Sequence, residues 1–360
     1  MADDSNRASS TNIDVIVNGT EVPDDEVLRF TIEMDLNQAD MAVITLVNRG
    51  NRQSNQYKPG DSLEVKVTAD KKTIFKGEVV GLEPLYAAGE DSKIVLRAFN
   101  RLHRLLRGRK SRTFQDQSDN DIVNTICGDH GLSGDCGSDV NITHKHCYQH
   151  NQTDLEFLRT RAARIGYAVW VEDKTLHFKK PDVQSDSGIV FKLSKEGGAG
   201  HRMKRFAPRL SSAGTVKSVT VRGWDPEKKQ EIVGTATASS SKLGATDAAS
   251  AANAFGDTKT FVVDHPIMSV EEAKAIAQSK LDDYMMTYIT GEADCFGDPA
   301  LKPGLVVKIV VNDEKADDVF NGKYFIVGCT HQFTPSGHSG GGAGGYTTMI
   351  KVARDAQKGS

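Results

Sequence analysis

The sequence predicts an α+β protein dominated by antiparallel β structure, with two related β modules flanking a compact α+β unit. Three observations predict it. Short stretches of alternating polarity, separated by turn residues, fill both ends of the 360-residue chain. Two capped helices and a tight hairpin fill the middle. A Lys-Pro-Gly turn with its following strands occurs twice, at Lys58-Pro59-Gly60 and Lys302-Pro303-Gly304.

Residues 1–11 are polar and are expected to form a disordered tail. The first β module spans residues 12–112. Ile13-Asp14-Val15-Ile16-Val17 runs into Asn18-Gly19, a strong hairpin signal because both residues tolerate positive φ. Phe30–Met34 and Ala42–Leu46 alternate with the period of two that half-buried strands show. Pro59-Gly60 opens a strand at Leu63–Val67, and strands follow over Ile74–Leu82 and Lys93–Phe99. Several short strands at this spacing point to a small sandwich or barrel.

The α+β unit spans residues 113–185. Ser118-Asp119-Asn120-Asp121 has the character of a capping box, Ile122, Val123 and Ile126 share a helical face, and Gly131 stops the helix. In a second helix Thr153 is the cap, Glu156 stands three residues on, and Leu155, Leu158, Ala162 and Ile165 keep helical spacing up to Gly166. The hairpin follows, with Val169-Trp170-Val171 turning at Glu172-Asp173-Lys174 into Leu176-His177-Phe178.

The second β module spans residues 186–360 and carries inserted loops and one helix. Strand pattern returns from Val216, with Val219-Thr220-Val221 running into Gly223-Trp224-Asp225-Pro226. The stretch from Ala236 to Asn253, rich in Ala, Ser and Thr, reads as a mobile loop or weak helix. Ser269 and Glu272 form a capping box for a helix that turns Ala273, Ile276, Ala277, Leu281 and Tyr284 inward. The last strands are expected at Leu305–Val311, Tyr324–Gln332 and Tyr346–Ala353, with a flexible Gly-rich tip between Pro335 and Gly345.

The repeat extends beyond its first turn. Lys58–Val67 matches Lys302–Val310, and Phe75–Gly81 matches Phe320–Gly328, with Gly77 aligned to Gly322. Each copy then continues to a strand with a basic end, Ile94–Arg97 and Met349–Arg354. Two matches in register at similar spacing favour duplication of a supersecondary unit.

Composition narrows the function. Hydrophobic residues at 38% and charged residues at 26% are ordinary for a globular protein, and a formal net charge of -3 gives no general attraction to nucleic acid. No apolar run approaches the roughly 18 residues of a membrane span, and the N-terminus lacks the apolar core of a secretion signal. Synthesis in the cytoplasm and no stable membrane insertion are therefore expected. Five cysteines, an odd number without compact spacing, read as reduced thiols.

Chemistry is sparse. His144-Lys145-His146-Cys147 with His150 is the most metal-like cluster, but strand alternation would put His144 and His146 on one face and Cys147 on the other. Arg101, Arg104, Arg107, Arg109, Lys110 and Arg112 form a basic run without interleaved aromatics, which suits a solvated face or protein interface better than a nucleic acid. Asp154 and Glu156 are explained by a helix N-terminus, and Trp170 and Trp224 by core or interface anchoring. No Gly-x-Ser-x-Gly, Walker or His-Glu-x-x-His pattern occurs. No catalytic, cofactor-binding or metal residue is assigned, and no cofactor is expected.

The run Gln149–Leu158 with Arg161-Ala162 and Gly166-Tyr167 resembles the phage late control gene D family and the hub half of VgrG spike proteins. Val219–Pro226, Gly297-Asp298-Pro299, His331-Gln332-Phe333 and Gly345-Tyr346-Thr347-Thr348 extend the resemblance over about Ile13–Arg354. It implies two related β-barrel-like tube domains with an α+β domain between them, and a structural, non-enzymatic baseplate hub of a contractile phage-tail-like injection system. It also implies a homotrimer whose six modules adapt a hexameric inner tube to a trimeric spike. The chain ends soon after the last hub strand, so a separate spike protein is expected, along with inner tube protein and baseplate wedge proteins as partners. Incorporation into a phage tail or injection particle follows. Two other readings stay open here: an envelope-degrading or metal-dependent hydrolase associated with the baseplate, and a carbohydrate-binding β protein.

Overall fold

A computed structural model describes residues 13–67, 72–88, 91–140, 142–193, 201–225, 228–238, 259–262, 269–313, 317–335 and 345–357, with isolated positions 241, 243–244, 246–248, 250, 267 and 315. Most of the Gly-rich segment after Pro335 and much of Ala236–Asn253 lie outside the described residues, as does the N-terminal tail. The fold is α+β and mostly antiparallel β, as the sequence predicts.

The first module is built from β1 (Ile13–Val17), β2 (Thr20–Glu21), β3 (Val27–Asp35), β4 (Met41–Val47), the short helix α1 (Gln53–Gln56), β5 (Ser62–Val67), β6 (Lys72–Leu85) and β7 (Lys93–Phe99). The strands lie in the order β2-β1-β5-β6-β7-β4-β3, each antiparallel to its neighbours. Asn18 and Gly19 take φ of 50° and 78°, the turn that the β1–β2 hairpin needs. Alternation buries Val15, Ile32, Ile44, Val65, Ile94 and Leu96 on one side. Each such side chain contributes about 1.5–3 kcal/mol by leaving water.

The middle follows a 3-10 turn at Arg101–Leu106 and comprises β8 (Lys110–Ser118), α2 (Asp119–Asp129), β9 (Ser133–Cys136), β10 (Thr143–Gln152), α3 (Asp154–Arg164), β11 (Ala168–Glu172) and β12 (Thr175–Lys179). Both expected caps form: Ser118 with Asp121, and Thr153 with Glu156, close reciprocal capping boxes. Gly131 and Gly166 end the helices at φ of 66° and 72°. The hairpin turns at Asp173-Lys174 as expected, and β9 adds parallel to β12.

The second module contains β13 (Asp186–Leu193), β14 (Arg202–Leu210), β15 (Ser218–Asp225), β16 (Gln230–Thr237), β17 (Thr246–Asp247), β18 (Lys259–Val262), α4 (Val270–Met286), β19 (Ile289–Phe296), β20 (Val306–Val310), β21 (Gly322–Thr334), β22 (Gly345–Arg354) and β23 (Ala356–Gln357). Six strands close on themselves in the order β13-β20-β21-β22-β19-β14. An insert between β14 and β19 packs the sheet β16-β15-β18 on α4. Gly234 is required there, because a Cβ would stand 2.3 Å from the backbone carbon of Ala273 in α4. β13 and β14 precede the strand return expected at Val216. Their alternation is obscured because β14 buries Met203 alone and shows Lys204, Arg205 and Arg209 to solvent.

The two modules share strand order and register. In chain order their six strands are β1, β3, β4, β5, β6, β7 and β13, β14, β19, β20, β21, β22, and both lie in the spatial order first-fourth-fifth-sixth-third-second. Gly60 and Gly304 take φ of 97° and 93°, and their N–H groups donate to Val79 and Ile326 at 2.8 and 2.9 Å. A bulge follows at Val80 in β6 and at Val327 in β21. A second bulge falls at Leu28 in β3 and at Lys204 in β14. These fixed points correct the sequence alignment: Gly81 corresponds to Gly328 and Gly77 to Tyr324, while Arg97 corresponds to Lys351 instead of Arg354. Gly77 serves a close approach inside a strand, since a Cβ there would stand 2.3 Å from the Phe99 carbonyl oxygen. The modules differ in their first strand: β1 is antiparallel to β5, whereas β13 is parallel to β20.

Candidate functional site

The modules are joined edge to edge within the chain. β3 pairs with β21 from Phe30↔Phe333 to Asp35↔Gly328, making one continuous sheet of thirteen strands. Phe30 and Phe333 stack with ring centroids 5.6 Å apart, and Tyr346 leans on Phe30 at 6.4 Å. His331 lies fully buried under this seam. Its Nε2–H donates to the Leu301 carbonyl at 3.1 Å, and its Nδ1 accepts from the Tyr346 hydroxyl at 2.7 Å.

Burial outweighs the Leu301 bond and the Asp298 charge and brings the His331 pKa from 6.5 down to about 4. The neutral ring therefore favours the fold above pH 6.5, and that contribution is lost as pH falls toward 4. At about pH 4.5 the loss is about 2–3 kcal/mol. Denaturant melts at neutral and acid pH check this: His331→Gln should show a shallower acid slope than the parent chain, and an unchanged slope would refute the assignment.

A cavity of about 310 Å³ lies where the three parts meet, lined among others by Asp40 and Phe75, by Trp170 and Glu172, and by Lys302 and Pro303. Lys302 bonds Glu172 at 2.7 Å, so the second Lys-Pro-Gly turn fastens to the middle hairpin. Burial, with the neighbouring Glu172 and Asp35 charges, pushes the Asp40 carboxyl up to about 7 against a bond from Asn100.

Five of the six residues of the basic run are held in ion pairs, while Arg107 is exposed. Arg101 holds Asp173 at 2.7 Å, Arg104 holds Glu78, and Arg109 holds Glu156 at 3.1 Å. Lys110 and Arg112 reach the buried Asp154 carboxylate at 2.7 and 2.8 Å, where His130 and Gln149 also donate. Burial alone would raise this carboxyl, yet the donors bring it down to about 2. Asp154 is thus more than a helix-terminal charge. It ties β8, α2 and β10 to the start of α3.

The metal-like cluster is rearranged. His144 and Cys147 point inward, whereas His146, Tyr148 and His150 form an exposed stripe. Simple alternation fails at the point where Asp116, on the partner strand β8, takes a left-handed φ of 50°. His144 joins Asp119 at 3.1 Å, and Arg161 completes the cluster by bonding Asp119, His144 and the Cys147 sulfur, the last two at 2.6 and 2.9 Å. Arg164 meanwhile reaches Glu272 of α4 at 2.8 Å. Among the described residues no group of three or more His, Cys, Asp and Glu side chains is arranged to hold a metal ion.

All five cysteines are free thiols, four of them buried. Burial pushes Cys127, Cys136 and Cys295 up to about 12, 11 and 12, far from thiolate reactivity. Trp170 is half-buried and stacks on His177 at 4.8 Å. Trp224 is 59% exposed on the outer face of the inserted sheet, as is Phe261, over which Arg222 lies at 5.5 Å. Neither tryptophan is a core residue.

A family model described as the Alg8 N-terminal domain matches residues 7–335. The chain belongs to that family. The Alg8 N-terminal domain match takes in the first module, the middle and the second module as far as β21. A search of curated proteins finds no match. Solved structures share the fold of this member of the Alg8 N-terminal domain family. The 43 kDa tail protein of prophage MuSo2 from Shewanella oneidensis is similar with a TM-score of 0.69 at 14% identity, over 96% of this chain and 99% of that one. A tail protein from Neisseria meningitidis MC58 reaches 0.69 at 16% identity, over 95% and 96%. The Escherichia coli c3393 protein reaches 0.65 at 13% identity, over 96% and 78%; it is a component of the type VI secretion system with structural similarity to T4 bacteriophage tail proteins gp27 and gp5. At these identities the likeness establishes a common fold.

Proposed function

We propose that the chain is a non-enzymatic baseplate hub of a contractile phage-tail-like injection system, in the manner of late control gene D and VgrG hub proteins. It assembles as a homotrimer between a hexameric inner tube and a trimeric spike supplied by a separate chain, with baseplate wedge proteins around it. The division proposed is a first tube domain over residues 12–112, an α+β domain over 113–185 and a second tube domain over 186–360. The chain is made in the cytoplasm and incorporated into the particle.

The observation that carries this reading is the pair of modules with one strand order, one register and two shared bulges in a single chain. Three copies then present six similar frames on a threefold object. The names of the structural neighbours support a tail role. Light scattering and electron microscopy of the chain, purified alone and co-expressed with its spike partner, should show threefold rings. A chain that stays monomeric in both preparations would sink the proposal.

A further inference from the structure

Each module carries two edge segments of the same two kinds, and the chain itself uses one of each. In the first module β3 is used, against β21. The end of β6 from Gly81 to Leu85, beyond its bulge, is paired, among the described residues, with β7 alone. In the second module β21 is used, and β14 beyond Met203 is paired, among the described residues, with β19 alone. The module correspondence makes the end of β6 the counterpart of β21, and β14 the counterpart of β3. The two unused segments are therefore the pair that would rebuild the internal seam.

Resting on the hub reading, we propose that these segments meet between copies: Leu82–Tyr86 of one chain lies antiparallel along Phe206–Leu210 of the next. The contact is head-to-tail, and a ring closed by three copies has six modules and six similar seams.

Transferring the internal register makes a test that the side chains pass. Phe30 and Phe333, the stacked pair, correspond to Phe206 and Tyr86, so an aromatic pair recurs at the same rung. Tyr86 is 60% exposed in the single chain. Met34 and Cys329 correspond to Leu210 and Leu82, again apolar opposite apolar. Glu33 and Thr330 correspond to Arg209 and Glu83, which places opposite charges face to face. Glu83 also holds Arg97 at 3.0 Å in an exposed pair, so Arg209 adds a second cation to it.

One rung is unusual. Ile32 and His331 correspond to Pro208 and Pro84. The Leu36 N–H donates to the Val327 carbonyl at 3.4 Å, which makes Ile32↔His331 a rung of the hydrogen-bonding kind. With proline on both sides neither hydrogen bond of this rung forms, and the ring carbons stand where the N–H groups would, so the two strands part locally there.

The rung Leu85 and Ala207 corresponds to Gln332↔Thr31, of the non-bonded kind, where Cα atoms stand about 4.5 Å apart. That spacing admits a disulfide. In the chain carrying Leu85→Cys and Ala207→Cys, mild oxidation should shift the band on a non-reducing gel from one chain mass to three. Either single variant should stay at one chain mass, and a mixture of the two singles should stop at two. Tyr86→Asp, at an exposed position, should leave the fold intact and abolish the ring. Rings that form in the double variant without cross-links would overturn the edge assignment and leave the hub reading standing. Single variants that cross-link to themselves would show a twofold contact and overturn it too. A double variant monomeric in every preparation would overturn both.

Discussion

Asp154→Ala should destabilise the chain by about 3–5 kcal/mol, seen as a lowered midpoint in a urea titration. The carboxylate side chain is 1% exposed and accepts from Lys110, Arg112, His130 and Gln149. Removing it leaves those cations facing one another. Lys110 and Arg112 are partly exposed and can regain water, which places the expected loss toward the lower figure. The sign of the pH dependence follows from the lowered carboxyl. Its stabilisation is present above 3.8 and is lost as pH falls through about 2. Parent and variant should therefore converge in stability at strongly acid pH. A shift below about 1 kcal/mol at neutral pH would show that the ion cluster is solvated and holds nothing.

Arg161→Met should cost a similar amount, about 3–5 kcal/mol, for a different reason. Here the charge left behind is the anion: Asp119 is buried at the start of α2 and would keep only His144. In the intact protein burial works to raise the Asp119 carboxyl, while the His144 bond and the Arg161 charge and bond hold it below its usual value. The double change Arg161→Met with Asp119→Leu removes both charges and should recover much of the loss. Equal losses in single and double variants would mean that packing of the arginine stem matters more than its charge.

The local signals were readable wherever a short stretch carries its own chemistry. Thr153 with Glu156 and Ser118 with Asp121 announced two helix starts, and the paired Lys-Pro-Gly turns announced the duplication. What escaped depends on residues far apart. The Asp154 cluster gathers Lys110, Arg112 and His130 from 24 to 44 positions away, and no spacing rule links them. The inward turn of Cys147 beside His144 coincides with a left-handed backbone at Asp116 across the ladder, which the strand that carries them does not announce. Strand β14 was missed because its charged outer face and Pro208 hide a single buried anchor, Met203. The bulges that align the modules leave no residue signature, since Leu28 matches Lys204 and only Val80 and Val327 agree. The seam between β3 and β21 had no local trace at all.

That seam also sets an order of events during synthesis. Phe30 and Phe333 pair across nearly the whole chain, so the outer edge of β3 has no partner until the last strands leave the ribosome. A nascent first module therefore presents an open strand edge throughout translation, which is the condition under which neighbouring chains stick to one another. Premature stops before β21 would leave that edge bare for good, giving aggregates in place of a shortened working protein.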